Sequence, residues 1–67
     1  MNYVFQNGQK VHYVPLIGEP ENGVVKSQHP TNTNVVFVVY KCAGDWANYQ
    51  NYTAVSTSVF DLQDDWI

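Results

Sequence analysis

The segment Asn34-Val35-Val36-Phe37-Val38-Val39-Tyr40-Lys41 decides the fold class of this chain. It is apolar at consecutive positions and rich in β-branched and aromatic residues, which is the composition of a strand covered on both faces. Such a strand belongs in the interior of a sheet, with other strands on either side. We therefore predict an all-β domain in which residues 34–41 form a central strand.

Shorter runs on both sides of this segment predict further strands. Residues 10–15 and 23–28 carry β-branched and aromatic residues, and residues 52–57 regain that propensity after the central strand. Residues 58–62 predict a short helical turn with a serine or aspartate cap, and residues 63–67 return to the sheet. No helix is expected elsewhere. Four or five short strands in so short a chain indicate a small barrel, closed or nearly closed.

Glycine, proline and asparagine mark the connections between these strands. Residues 15–22 hold two prolines and a glycine and predict a long first loop. Asn22-Gly23 is a turn signal at its end, with the glycine expected to supply a positive φ. The polar cluster at 29–34 predicts a hairpin connection, and residues 46–51 predict an aromatic, amide-rich connection before the fourth strand.

The length and composition of the chain limit its class. Its 67 residues make at most one domain, and we assign residues 1–9 to an N-terminal arm or edge segment and residues 10–67 to a single small β-barrel domain. With 45% hydrophobic and 15% aromatic residues, the chain is too apolar for a disordered segment. No apolar run reaches the roughly 20 residues that span a bilayer, and no secretory signal is recognisable. We expect a cytoplasmic protein without a membrane partner.

Charge and cysteine content argue against several functions. Six acidic residues against three lysines leave a net charge of −3, which disfavours nucleic acid, and Lys10, Lys26 and Lys41 lie far apart in the sequence. The single cysteine, Cys42, cannot form an intrachain disulfide and is expected to be a small packing residue. No closely spaced Cys/His set or calcium-loop pattern predicts a metal. We expect no cofactor and no enzymatic activity.

A set of strings between Lys10 and Trp66 carries a resemblance: Val-His-Tyr-Val-Pro, Pro-Glu-Asn-Gly-Val-Val-Lys-Ser, Val-Phe-Val-Val-Tyr, Asp-Trp-Ala-Asn-Tyr-Gln-Asn-Tyr-Thr-Ala and Asp-Leu-Gln-Asp-Asp-Trp. With them, most of the chain resembles short, functionally uncharacterised proteins of bacteriophages and prophages, which look like Src-homology-3-like barrels. The resemblance implies a five-stranded barrel of that type, with a long first loop and one short helical turn near the C-terminus. It also implies a phage- or prophage-borne accessory protein without catalysis, acting in the bacterial host cytoplasm. No residue role is carried over with it.

The aromatic residues offer the main candidate binding surface. Trp46, Tyr49 and Tyr52 fall within seven residues, and Tyr13 can approach them across the first loop. Such side chains pair a large apolar face with a polar tip, so they can stack on a peptide, hold a methylammonium group or anchor a protein interface. The alternative is that the aromatic residues mainly fill the core, among them Phe37, Tyr40, Trp66 and Tyr13.

Acidic residues flank this aromatic set. Glu19 and Glu21 lie in the predicted first loop and Asp45 precedes Trp46, so the face would favour a basic partner, unless these carboxylates are simply solvated. We predict a non-catalytic protein-interaction module that binds a protein or peptide through this aromatic and acidic loop face. One alternative is a structural or assembly protein that forms a homo-oligomer through a strand edge or the arm Tyr3-Val4-Phe5. Another is a weak nucleic-acid binder, which would gather its lysines beside aromatic residues on one face.

Overall fold

The computed structural model describes residues 4–67, which form one five-stranded antiparallel sheet and two short 3-10 helices. The strands are β1 (Lys10–Tyr13), β2 (Glu21–Gln28), β3 (Val35–Val39), β4 (Val55–Ser58) and β5 (Leu62–Asp64). The first 3-10 helix (Trp46–Asn51) precedes β4, and the second (Val59–Asp61) joins β4 to β5. The strand order is β4-β3-β2-β1-β5, so within the described residues β4 and β5 are the two ends of an unclosed sheet.

This sheet confirms the all-β prediction and the central strand, because β3 has β2 on one side and β4 on the other. The flanking strands begin or end where the backbone finds other partners. β1 ends at Tyr13, since the N–H of Val14 donates to the carbonyl of Asp61 at 2.9 Å. β4 begins only at Val55, because the N–H of Tyr52 still donates to the carbonyl of Tyr49 in the preceding 3-10 helix.

The turn predicted at Asn22-Gly23 is wrong. Both residues lie inside β2, where Gly23 pairs with Val11 and has no positive φ. A Cβ atom on Gly23 would lie 2.6 Å from Cγ1 of Val38 and 2.9 Å from Cδ1 of Tyr40. Glycine is required here by the close approach of neighbouring side chains, and not by a turn.

The expectation of no helix outside residues 58–62 is also wrong, because residues 46–51 form a 3-10 helix. Ala43 and Gly44 turn the chain into this helix with φ values of 53° and 82°. The N–H of Asp45 then donates to the carbonyl of Cys42, and short bonds of this kind continue through the segment. This segment has no buried residue and no side-chain hydrogen bond at its cap, so the sequence carries no clear signal of a helix there. The turn predicted at 58–62 is present as the second 3-10 helix, with Ser58 as its cap.

Valines form most of the core. The main cluster lies on one face of the sheet, which we call the core face, and its members are Phe5, Val11, Val25, Val36, Val38, Val59 and Leu62. Val24 and Val39 are also buried and pair with each other across β2 and β3. Because side chains alternate along a strand, these two point to the opposite face. The sheet is therefore buried on both faces at its centre, as the apolar composition of β3 predicted.

Four large aromatic residues border this core and do not fill it: Tyr13, Phe37, Tyr40 and Trp66. Tyr13 and Tyr40 are partly buried against the main cluster. Phe37 is half-buried and stacks on the His29 ring with 5.8 Å between centroids, while Trp66 is half-buried near the C-terminus. We expected these four residues to help fill the interior, but they lie only at the edge of the core, because β-branched residues occupy its centre.

The segment before β1 is tied to the sheet. Phe5 is 6% exposed and belongs to the main cluster, and its carbonyl accepts a hydrogen bond from Nε2 of Gln28 at 2.8 Å. The N–H of Gly8 donates to the carbonyl of Val25, whose own N–H donates to the carbonyl of Gln9. Tyr3, which the sequence placed in an apolar arm, lies outside the described residues.

Candidate binding groove

The core face continues past the main cluster to an end that no strand within residues 4–67 covers. Residues two positions apart along a strand share a face of the sheet. A residue two positions from a buried core residue therefore also points to the core face. On β4, the residues that pair with the core valines of β3 share their face as well. This geometry brings together five side chains: Tyr13, Glu21, Tyr40, Val55 and Thr57.

These side chains border a groove of about 350 Å³. The groove, as we call it below, is lined by Tyr13, Glu21, Tyr40, Val55, Ser56, Thr57, Ser58 and Asp61. An adjoining hollow of about 310 Å³ shares Glu21, Tyr40 and Val55 with it and adds Lys41 and Thr53. A groove of this size lies at the small end of the range for ligand pockets and suits one or two side chains of a partner.

Tyr40 is the central side chain of the groove. Its ring meets that of Tyr13 edge to face, with 6.1 Å between centroids and an interplanar angle of 69°. Its hydroxyl lies 2.9 Å from Oγ1 of Thr57, which itself donates to the carbonyl of Val55 at 3.2 Å. Either hydroxyl can be the donor of the hydrogen bond between Tyr40 and Thr57. Burial raises the pKa of Tyr40, against the opposing effect of the hydrogen bond with Thr57.

The charges in the groove are negative. Glu21 is half-buried at the start of β2, and Asp61 is exposed at the end of the second 3-10 helix. Both carboxylates act on Tyr40, since each contributes to raising its pKa. Lys41 borders the adjoining hollow and not the groove itself. The groove thus combines an aromatic floor with an acidic border, which favours an apolar side chain next to a cation.

The structure separates the residues that the sequence grouped into one face. Tyr13 and Glu21 line the groove, and Glu19 lies exposed in the loop between β1 and β2. The remaining four belong to the first 3-10 helix and its ends: Asp45, Trp46, Tyr49 and Tyr52. None of these four residues lines the groove.

Trp46 takes part in an aromatic cluster on the other side of the sheet. Its ring lies against that of Trp66, with 4.9 Å between centroids. The indole N–H of Trp66 donates to the carbonyl of Gly23 at 2.8 Å, and Nζ of Lys10 lies 4.7 Å from the Trp66 ring centre. Lys10 pairs with Val24, so it points away from the core face. The Trp46–Trp66 cluster and the groove are therefore on opposite faces of the sheet.

Asp45 and Tyr52 are brought together, but as a brace for the 3-10 helix. Oδ2 of Asp45 accepts from the Tyr52 hydroxyl at 2.9 Å, and Oδ1 accepts from Nδ2 of Asn48 at 2.9 Å. The hydrogen bond to Asp45 raises the pKa of Tyr52, because the neutral phenol is the donor. The Tyr52 carbonyl in turn accepts from Nζ of Lys26 at 2.7 Å. Tyr49 is half-buried within the same helix.

The lysines lie on different elements with different neighbours. Lys10 lies over Trp66, Lys26 donates to Tyr52, and Lys41 borders the hollow beside the groove. In residues 4–67, no group of three or more His, Cys, Asp and Glu side chains could hold a metal ion. The helices of this part of the chain also lack the length and apolarity that a membrane crossing requires. Cys42 is buried, as expected for a packing residue.

Several groove residues were not selected from the sequence. The sequence suggests only a core role for Tyr40 and no binding role for Val55, Thr57 and Asp61, which all line the groove. The alternation of side chains along β3 could have predicted the position of Tyr40. Tyr40 falls two residues after the buried Val38 and must therefore share its face of the sheet. The location of the uncovered end depends on strand order, which the sequence does not state.

What the groove can bind follows from its own side chains: two phenols, three hydroxyl-bearing residues of β4, one valine and two carboxylates. This set offers aromatic surface, hydrogen-bond acceptors and negative charge in one place. No protein-family model matches the chain, and no curated protein or solved structure matches it either.

Proposed function

We propose that this protein is a non-catalytic protein-interaction module whose groove binds a short segment of a partner protein. The carrying observation is the joint presence of the Tyr13 and Tyr40 rings and the Glu21 and Asp61 carboxylates in one groove. An apolar side chain of the partner would pack on the rings, and a neighbouring lysine or arginine would reach a carboxylate. The overall net charge of −3 supports a basic partner.

The finer identity of the module is also part of this proposal. We take it to be a small barrel of the Src-homology-3-like type, carried by a bacteriophage or prophage and acting in the host cytoplasm. Five antiparallel strands in the order β4-β3-β2-β1-β5, with a 3-10 helix between β4 and β5, support the barrel. The resemblance of the sequence strings given above supports the phage origin.

A second candidate function is assembly of a homo-oligomer. Leu16 and Ile17 are 100% and 89% exposed in the loop after β1, and Phe60 is 77% exposed in the second 3-10 helix. The bond from Val14 to Asp61 brings this loop beside that helix. Exposed apolar residues at adjacent elements favour a protein contact. Light scattering over a concentration series tests it: a mass that rises from monomer to dimer, and that stays at monomer in Leu16→Ser, would support assembly.

Selection from a displayed library of random peptides tests the groove. Peptides recovered on the wild-type protein should be enriched in a lysine or arginine beside an aliphatic or aromatic residue. Two matched variants locate the site: Val55→Lys places a cation in the groove, and Phe60→Lys places one at an exposed position outside its lining. Loss of affinity by about tenfold or more in Val55→Lys alone, equivalent to about 1.4 kcal/mol, supports the proposal.

Two outcomes would refute the groove. If both lysine variants bind like wild type, the partner does not use this surface. If a folded Trp46→Ala variant loses binding and Val55→Lys does not, the binding face is the Trp46–Trp66 cluster on the other side of the sheet. Near-ultraviolet circular dichroism of each variant shows whether its aromatic packing is intact before affinities are compared.

A further inference from the structure

Strand β4 lines the groove with every one of its residues. All four of its residues, 55–58, border the groove, although alternate side chains point to opposite faces of the sheet. A strand can present both sets of residues only along its backbone edge. β4 is also the last strand of the sheet in the described chain, with β3 as its one neighbour. The wall of the groove on this side is therefore a strand edge.

The hydrogen-bond pattern identifies the backbone groups on that edge. Ser58 pairs with Val35, and the N–H of Val59 donates to the carbonyl of Asn34 at 2.9 Å. In an antiparallel pair, residues with bonds to the partner strand alternate with residues whose N–H and C=O point away. Val55 and Thr57 thus bond to β3, whereas Ser56 and Ser58 direct their N–H groups outward. The Ser56 carbonyl points the same way.

The opposite side of the groove carries the recognition chemistry already described. Tyr13 and Tyr40 provide the aromatic floor, and Glu21 and Asp61 provide negative charge. A segment lying along β4 would place alternate side chains over this floor, because every second residue of a strand points to the same face. Main-chain bonds would supply affinity and the alternate side chains specificity, which is the mode known as strand addition.

We infer that the partner segment binds in an extended conformation and adds a sixth strand to the edge of β4, pairing with the backbone of Ser56. The inference rests on the proposed function and specifies its occupant: an extended segment of another protein, with apolar side chains at alternate positions and a lysine or arginine opposite Glu21. Edge strands are open templates for such pairing. A second copy of this chain, or a segment held by side chains alone, would be a different occupant.

A backbone-specific pair of variants tests strand addition. Ser56→Pro removes the outward N–H and is tolerated at an edge strand, while Ser56→Ala removes only the hydroxyl. With a peptide selected on the wild-type protein, Ser56→Pro should bind about three- to tenfold more weakly than Ser56→Ala, the loss expected for one hydrogen bond. Equal affinity of the two variants overturns the inference while leaving the groove intact.

Methylation of the peptide backbone provides a test that needs no protein variant. N-methyl groups introduced one position at a time should weaken binding at every second residue of the bound segment, because only alternate N–H groups face β4. Uniform tolerance, or loss without this period of two, overturns strand addition. If the Ser56 amide responds to protein concentration alone in NMR spectra, the occupant is a second copy. If no peptide is selected at all, the proposed function fails together with the inference.

Discussion

Replacement of Gly23 by alanine is the sharpest test of how the groove is built. The new Cβ would lie 2.6 Å from Cγ1 of Val38, 2.9 Å from Cδ1 of Tyr40 and 3.0 Å from the carbonyl oxygen of Val39. Carbon atoms in contact are normally about 3.5–4.0 Å apart, so the overlap with Val38 is close to 1 Å. Val38 is completely buried and β-branched, so it cannot rotate away. Overpacking of this kind costs about 1–3 kcal/mol.

Part of that cost is offset, because alanine loses less backbone entropy than glycine by about 0.5–1 kcal/mol. We therefore expect Gly23→Ala to lower the free energy of unfolding by about 1–2 kcal/mol, which corresponds to a fall in melting temperature of several degrees in a domain this small. Denaturant unfolding measures the first quantity and thermal unfolding the second. Tyr40 should move with the strand, so peptide affinity should fall as well.

Two controls separate steric overlap from other effects of alanine. Gly18→Ala meets no atom within 4 Å and tests only the cost of a φ of 107°. It should destabilise the protein without changing the groove. In a Val38→Ala background, which removes the nearest methyl group, Gly23→Ala should cost clearly less than in wild type. An equal cost in both backgrounds, or a gain in stability, would refute the packing argument.

Three further predictions concern other residues. Phe5→Ala should lower the free energy of unfolding by about 3–5 kcal/mol, enough to leave the domain largely unfolded, whereas Phe5→Leu should stay folded. An unchanged denaturation midpoint in Phe5→Ala would show that residues 4–9 do not contribute to the core. Ala43→Gly should raise the free energy of unfolding by about 0.5–1 kcal/mol, because the φ of 53° costs alanine more than glycine; a loss of stability in equilibrium denaturation would contradict this. Tyrosinate absorbance should show Tyr40 and Tyr52 ionising above the ordinary tyrosine pKa, with Asp45→Ala lowering the pKa of Tyr52. Because burial raises the pKa of Tyr40 in the folded state, its contribution to stability is full below about pH 10 and is lost as the pH rises through that folded-state pKa, which thermal unfolding across this range checks.

The strands could be predicted from the sequence because they depend on the pattern of apolar and β-branched residues within each short segment. The run 34–41 combines adjacent apolar positions with β-branched and aromatic residues, which favours a strand covered on both faces, and β3 has that position. The serine cap of the second 3-10 helix was equally visible, since the Ser58 hydroxyl accepts from the N–H of Phe60. These features depend on residues close in sequence.

The groove could be predicted only in part, because it depends on residues far apart in sequence. The sequence predicts Tyr13 and Glu21 as binding residues, but their partner Tyr40 comes from another strand. Trp46 was grouped with them on the basis of a loop position, but its contact is with Trp66 at the C-terminus. Gly23 was interpreted as a turn residue, since the sequence cannot show that two side chains pass over its backbone.

One pair of affinities tests the central claim most directly: a selected peptide measured against Glu21→Gln and Glu19→Gln. The two substitutions remove the same charge, but Glu21 lines the groove and Glu19 is exposed in the preceding loop. We predict that Glu21→Gln weakens binding about fivefold, as expected for a half-exposed ion pair of about 1 kcal/mol, and that Glu19→Gln leaves it unchanged. Equal affinities for the two variants would contradict the claim that an acidic groove recognises the partner.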